Sequence, residues 1–430
     1  MRFFDAVVAL GAAGLVSAQS SVTFQDSSQT ILRTDNGTYG PALEEYHYYY
    51  DQWPIGLAIS STGRFFVSYT RGTYAYTLGE TVNKTAERPY PSAEVNLPVS
   101  ALNTTFNGIP FGSASSDSFI SVQALYITPE TSTRPETLWV LDTGRPTVQN
   151  ADGSYTNVYA QPGGPKLCAI SLTNDTVYRT YTFPPSVHYP DSSMNDMRFD
   201  FRPNATNSTA GVAYIVDSSN EGRTGFIILD LASGNSWRRL EQDPSTLRVQ
   251  NDVPSYQGHP FYQRSPGMPI THLTEGLDGI QISPDGSRIY YSALTTDYLY
   301  SIPTANLRAP PTDPSVELNA HANVSSHGQR GGNANGFEGD NLGRIYQLMP
   351  EQNAIYYYDP TDGQTKGMVR DPRIIWPDGA TIGQDGYLYI NINQLPYQPM
   401  WNNGMDLRVH PGAVLRFRIP NNGTKITSLY

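Results

Sequence analysis

The chain has 430 residues and a single cysteine, Cys168, so no disulfide can form within it. A core of this size holds without such staples, and in the run K-L-C-A-I-S-L Cys168 reads as a small buried hydrophobe. Basic residues are few: 28 Lys and Arg stand against 39 Asp and Glu, for a net charge of −11. They are scattered, which argues against nucleic acid or an anionic membrane as the main partner. No apolar run of transmembrane length follows the N-terminus, and no long stretch shows helical apolar periodicity. The familiar catalytic signatures are missing too. There is no G-x-S-x-G elbow, no C-x-x-C, no Gly-rich phosphate loop, and no H-E-x-x-H among seven scattered histidines. The expectation is a protein with no cofactor and no catalytic metal.

What the chain has in quantity is Gly (37), Pro (33) and Tyr (30), the composition of a turn-rich all-β protein. The clearest unit is 275–307. There G-I-Q-I-S, a P-D-G turn, R-I-Y-Y-S-A and Y-L-Y-S-I-P read as three successive antiparallel strands. One such meander cannot cover its own faces, and eroded copies recur at 54–68, 137–172, 212–231, 335–360 and 381–392. Six units at blade-like spacing predict a six-bladed β-propeller, closed so that no sheet edge is left open. Residues 44–51 (E-E-Y-H-Y-Y-Y-D) read either as aromatic core or as the rim of a pocket. Residues 19–36 read as a loose lead-in or a closing strand. The Pro-rich stretch 85–112 reads as a crossing loop, 242–273 as a long insertion, and 313–332 as a mobile loop.

The N-terminus carries a targeting pattern. A positive start, an apolar stretch at 6–15 and V-S-A at 16–18 predict a signal peptide over 1–18, with one propeller domain over 19–430. Eight N-x-S/T sequons follow, at Asn36, Asn83, Asn103, Asn174, Asn204, Asn207, Asn323 and Asn422. Behind a signal peptide they predict a secreted glycoprotein.

A propeller usually binds its ligand at one mouth of the central channel, where loops lead into the innermost strands. The residues placed there are Trp53, Gln123, Asn195, Asp196, Glu275, Asp278, Asn335 and Asp378. Asp and Asn also cap turns at such positions for structural reasons. Glu275, Asn195, Asn335 and Asp378 are oxygen donors of the kind calcium takes. A calcium-dependent lactonase of related fold would use them, but Trp53 stands where that scheme wants a carboxylate. What remains is a pocket of aromatic and neutral polar groups. Asn195, Asn335 and Gln123 would donate hydrogen bonds as the catalytic set. Trp53, Asp196, Glu275, Asp278 and Asp378 would bind or orient.

The runs L-W-V-L-D-T-G (138–144), A-Y-I-V-D-S-S (213–219), D-G-I-Q-I-S-P-D-G-S-R-I-Y-Y-S (278–292), D-P-R-I-I-W-P-D (371–378) and D-G-Y-L-Y-I-N-I-N-Q-L (385–395) resemble the major royal jelly protein/yellow family, and in its order. The resemblance implies a six-bladed propeller. It also implies one of several activities. The chain is similar to secreted fungal members that act as hetero-Diels–Alderases, joining a tropolone-derived quinone methide to a terpene alkene. Other members bind biogenic amines or catechols, or convert dopachrome. The resemblance implies small-molecule partners, aromatic and terpenoid, rather than macromolecules.

Overall fold

The computed structural model describes residues 20–23, 30–33, 37–69, 76–96, 104–106, 109–111, 118–149, 155–161, 163–264 and 266–430. The leader expected at 1–18 lies outside them, as do the sequons Asn36 and Asn103.

Six four-stranded antiparallel sheets form the molecule, one per blade. Blade one is built from Leu57–Ile59, Phe65–Ser68, Leu78–Asn83 and Ala86–Pro89. Blade two runs from Val122–Thr128 through Thr137–Asp142 and Lys166–Ser171 to Thr176–Thr182. Blade three starts at Met194–Asp200 and ends at Ser236–Arg239, and blade four starts at Leu277–Ile282 and ends at Ser325–Gln329. Blade five runs from Phe337–Gly339 to Gln364–Arg370. Blade six takes Pro377–Ile382, Tyr387–Ile392 and Gly412–Arg418 from the end of the chain and Glu44–Tyr49 from its beginning.

Side chains of successive strand residues point to opposite faces, so each blade feeds two cores. In blade two, Leu138 and Val140 pack with Ala58 and Phe66 of blade one, while Trp139 and Leu141 pack with Phe199 and Ile215 of blade three. The same alternation yields six hydrophobic clusters, one in each gap between neighbouring blades. Cys168 lies in the cluster between blades one and two, where burial pushes its thiol up to about 11. It is the inert hydrophobe the sequence suggested.

Several sequence expectations are corrected. The stretch 85–112 is not only a crossing loop, because Ala86–Pro89 is the outer strand of blade one. The stretch 313–332 holds a helix, Pro314–Ala322, and the outer strand of blade four. Asp313 caps that helix by accepting from the Ser315 amide at 2.8 Å, with Pro314 in the first turn. The closing strand is Glu44–Tyr49, while the described part of 19–36, Ser20–Thr23 and Thr30–Arg33, pairs with itself. The choice between core and rim for 44–51 resolves towards core, with His47, Tyr48 and Tyr49 all buried.

Candidate functional site

The innermost strands of four blades begin with an irregularity in register. The shifts fall between Val122 and Ala124, Met194 and Met197, Leu277 and Gly279, and Pro377 and Ala380. A bulge leaves residues unpaired and re-aims their side chains. The residues it releases here are Gln123, Asn195 with Asp196, Asp278, and Asp378 with Gly379. All of them line one cavity at the channel mouth. Blade five contributes Asn335, Gly336 and Phe337, and blade one contributes Ile55, Gly56 and Leu57. Gly336 has φ +67°, and a Cβ there would stand 2.8 Å from the Asp378 carbonyl oxygen. Only glycine lets blade five approach blade six this closely.

Six of the eight expected site residues therefore meet: Gln123, Asn195, Asp196, Asp278, Asn335 and Asp378. Trp53 and Glu275 do not line the cavity. The Trp53 indole is 7 % exposed, stacks on the His410 ring at 4.5 Å, and carries the Arg408 guanidinium 4.7 Å over its face. The apolar wall expected of Trp53 is supplied instead by Ile55, Leu57, Leu125 and Phe337. Glu275 accepts at 3.5 Å from Asn220 Nδ2, yet it is near enough to push up the pKa of both Asp278 and Asp378.

The polar groups are wired to one another. Gln123 Nε2 donates to Asn195 Oδ1 at 3.2 Å, and Asn195 Nδ2 donates to Ser218 Oγ at 3.3 Å. Asp378 accepts from Asn335 Nδ2 and from Asn393 Nδ2, each at 2.5 Å. Gln123 and Asn195 thus each spend one N–H inside the protein and keep a second, whereas Asn335 Nδ2 also reaches the Pro377 carbonyl at 3.5 Å. Asp196 accepts at 2.9 Å from Arg198 Nη1, and Arg198 Nε donates to Gln281 Oε1 at 2.6 Å. This guanidinium, 2 % exposed, fixes the charged layer at the cavity.

Burial sets the protonation states. Asp378 keeps some surface on the cavity but lies deep in the molecule. Burial, reinforced by Glu275, raises it to about 7 against the pull of its two amide donors. Asp278 is raised well above the ordinary carboxyl range, first by burial and then by Glu275, Asp378 and Asp196. Asp196 is raised by burial and held back by Arg198.

Asn393, Ser218 and Arg198 were missed by sequence reasoning. For Asn393 a signal existed: in Y-L-Y-I-N-I-N the apolar alternation gives way to Asn on one face. Among the described residues no group of three or more His, Cys, Asp or Glu is placed to hold a metal ion.

At the opposite end of the channel the C-terminal segment crosses the floor. The Leu429 carbonyl accepts from Phe201 N at 2.8 Å, Lys425 pairs with Asp340 as a bridge, and the Tyr430 and Tyr126 hydroxyls meet at 2.7 Å. The cavity therefore opens at one mouth, with about 50 Å³ of free space.

A family model described as major royal jelly protein matches residues 125–408, about two thirds of the chain. No curated protein sequence matches. Among solved structures, a luciferin-regenerating enzyme is 10% identical, with 91% of this chain and 99% of that one covered and a TM-score of 0.49. A putative gluconolactonase is 11% identical over 90% and 94% of the two chains, with a TM-score of 0.47. Regucalcin, a calcium-binding protein from Agrobacterium tumefaciens, is 12% identical over 89% and 95%, with a TM-score of 0.45. At these values the likeness carries no argument about chemistry, and the propeller is read from the strand pairing above.

Proposed function

We propose, from the premise that the chain belongs to the major royal jelly protein family, that it is a secreted enzyme performing a cofactor-free hetero-Diels–Alder addition. Its substrates would be a tropolone-derived quinone methide and a terpene alkene. The observation that carries this reading is the mixed lining of the cavity. Gln123, Asn195, Asp278 and Asn335 share it with Ile55, Leu57, Leu125 and Phe337. The cavity's free space of about 50 Å³ is room for a carbonyl head.

In the reaction, the oxygen and terminal carbon of the O=C–C=C unit form one C–O and one C–C bond to the alkene. All atoms remain in the product, and no proton or electron is exchanged with the protein. Holding the partners in contact can lower the barrier by as much as roughly 7–11 kcal/mol. The spare N–H groups of Asn195 and Gln123 would stabilise charge developing on the oxygen, and Asn335 would join them by giving up its long contact to the Pro377 carbonyl.

The test is incubation of purified protein with both partners. Adduct yield and stereoisomer ratio should differ from buffer alone and persist in EDTA; identity with buffer ends the proposal, and loss of activity in EDTA would favour a lactonase-type metal site. A second reading, binding of an aromatic amine, is favoured by the carboxyl groups of Asp196, Asp278, Asp378 and Glu275. Calorimetry with phenethylamine, showing binding without turnover, would support it.

Secretion and glycosylation belong to the same proposal. Asn83, Asn174, Asn204, Asn207, Asn323 and Asn422 are all exposed. A glycosidase digest of protein from a eukaryotic host should reduce its mass, and an unchanged mass would remove that part.

A further inference from the structure

We propose that Asp278 supplies the principal hydrogen bond to the substrate oxygen, its carboxyl group acting as a neutral donor. This rests on reading the cavity as a substrate pocket, and it shifts the main role from the three amides to an acid.

The geometry comes first. Asp278 is 3 % exposed and lines the cavity, and its Oδ2 is buried with no hydrogen-bond partner. The register shift between Leu277 and Gly279 frees it from the ladder. Its place is fixed from behind by the Phe337 ring, which packs so tightly on Gly279 that a Cβ there would come within 2.7 Å. Every other polar side chain in the lining has a partner: Gln123 and Asn195 each other, Asp196 Arg198, Asn335 Asp378. An unpaired buried polar atom is costly, and an unpaired buried charge far more so. A group left in that condition at the wall of a cavity has a ligand as its natural partner.

The charges around it decide its form. Glu275, Asp378 and Asp196 face it and all oppose a negative charge. The cation facing it, Arg330, is committed elsewhere. It donates to the carbonyls of Gly332 at 3.1 Å, Tyr298 at 3.2 Å, Thr296 at 2.7 Å and Ala293 at 3.5 Å. Burial and three like charges therefore outweigh an engaged guanidinium, and the neutral acid is the favoured form. A neutral carboxyl has an O–H to give. The ligand class that accepts it is an uncharged molecule with a conjugated carbonyl oxygen.

The experiment uses tropone, a conjugated ketone with no titrating group, and phenethylamine as the cationic alternative. Affinities are measured by calorimetry from pH 5 to 9 on the full protein. An Asp378→Asn background removes the titration of that neighbour. Tropone should bind most tightly at low pH and weaken as Asp278 ionises. Asp278→Asn keeps an N–H donor, so it should bind tropone within a few-fold of the parent and lose the pH dependence. Asp278→Leu should weaken tropone tenfold or more. Tropone affinity that is independent of pH in the parent, or unchanged in Asp278→Leu, overturns the proposal. So does phenethylamine binding that strengthens with pH while tropone fails to bind.

Infrared difference spectra of parent minus Asp278→Asn supply a readout that needs no ligand. A protonated-carboxyl carbonyl band at pH 7 is expected, and a carboxylate band instead sinks the proposal. A protein that shows the protonated band and binds tropone, but forms no adduct, leaves Asp278 as the donor and removes only the cycloaddition.

Discussion

Asp378 shows how a single side chain at this mouth links function to stability. Its folded value of about 7 lies above the roughly 3.9 of an unfolded aspartate. Between those values the folded state holds more protons than the unfolded one, so stability is greatest at low pH and declines as pH rises through this window. Asp278 acts in the same direction. Urea midpoints should therefore fall between about pH 4 and pH 7, and Asp378→Asn should flatten that slope; a slope unchanged by the substitution would mean Asp378 titrates normally. Asp359 works oppositely, held down to about 2 by Thr361 and Lys366, but its window lies below pH 4 and it is screened by solvent. Trp53 teaches a different lesson. From sequence, an aromatic at the start of an inner strand looked like a substrate wall. In the fold it is packing for His410 and Arg408. Trp53→Ala should thus cost about 3–5 kcal/mol of stability, read by denaturant unfolding. Its effect on ligand affinity should be small beside that of substitutions at Leu125 or Phe337. The polar site residues were legible because bulged strand starts attract Asn, Asp and Gln. The apolar lining was not, because Ile55, Leu57 and Leu125 look like any other strand residue until neighbouring blades are placed beside them.

At the scale of elements, strands with a period-2 pattern and Gly turns were readable, as in 277–303, where aromatic and β-branched residues alternate. The helix Pro314–Ala322 was not, since only Ala320 of its residues is buried and no apolar face marks it. The outer strand Ala86–Pro89 is mostly half-buried and carries little hydrophobic signal. The C-terminal segment is another element whose role appears only in three dimensions. Ile426 and Leu429 are 2 % and 0 % exposed and belong to the cluster between blades three and four. Lys425 lies 4.9 Å over the Tyr126 ring, close to Glu338 in the buried interior. Removing residues 424–430 would delete both buried apolar side chains, each worth about 1.5–3 kcal/mol, and would leave Glu338 with Arg198 alone of its two nearby cations. The truncated protein should lose several kcal/mol in denaturant titrations and leave the channel open at both ends. A truncation within experimental error of the full chain would show that the floor is closed by something other than this segment.

At the scale of the whole molecule, six sheets close into a ring only because the two ends of the chain share blade six. Glu44–Tyr49 pairs along Gly412–Arg418, from Glu44 opposite Arg416 to Tyr49 opposite Gly412. Arg416 ties the seam by an ion pair to Glu44 at 2.8 Å, and Arg373 reaches Glu45 at 2.7 Å. Tyr48 and Tyr49, both fully buried, fill the clusters on the two sides of the blade. Without this strand, Gly412–Arg418 would become an exposed edge with a row of unpaired backbone groups, a template for aggregation. Both flanking clusters would lose a tyrosine. Of the described residues before Gly37, Ser20–Thr23 and Thr30–Arg33 pair only with each other. Deleting 1–36 should therefore leave the unfolding midpoint close to that of the full chain. Deleting 1–51 should abolish the single cooperative transition and drive association, as read by circular dichroism and light scattering. A synthetic peptide spanning 37–51, added to the shorter chain, should pair with the open edge and restore a cooperative transition whose midpoint rises with peptide concentration. A 52–430 chain that unfolds cooperatively at the parental midpoint without the peptide would show that five complete blades and a three-stranded sixth hold the ring by themselves.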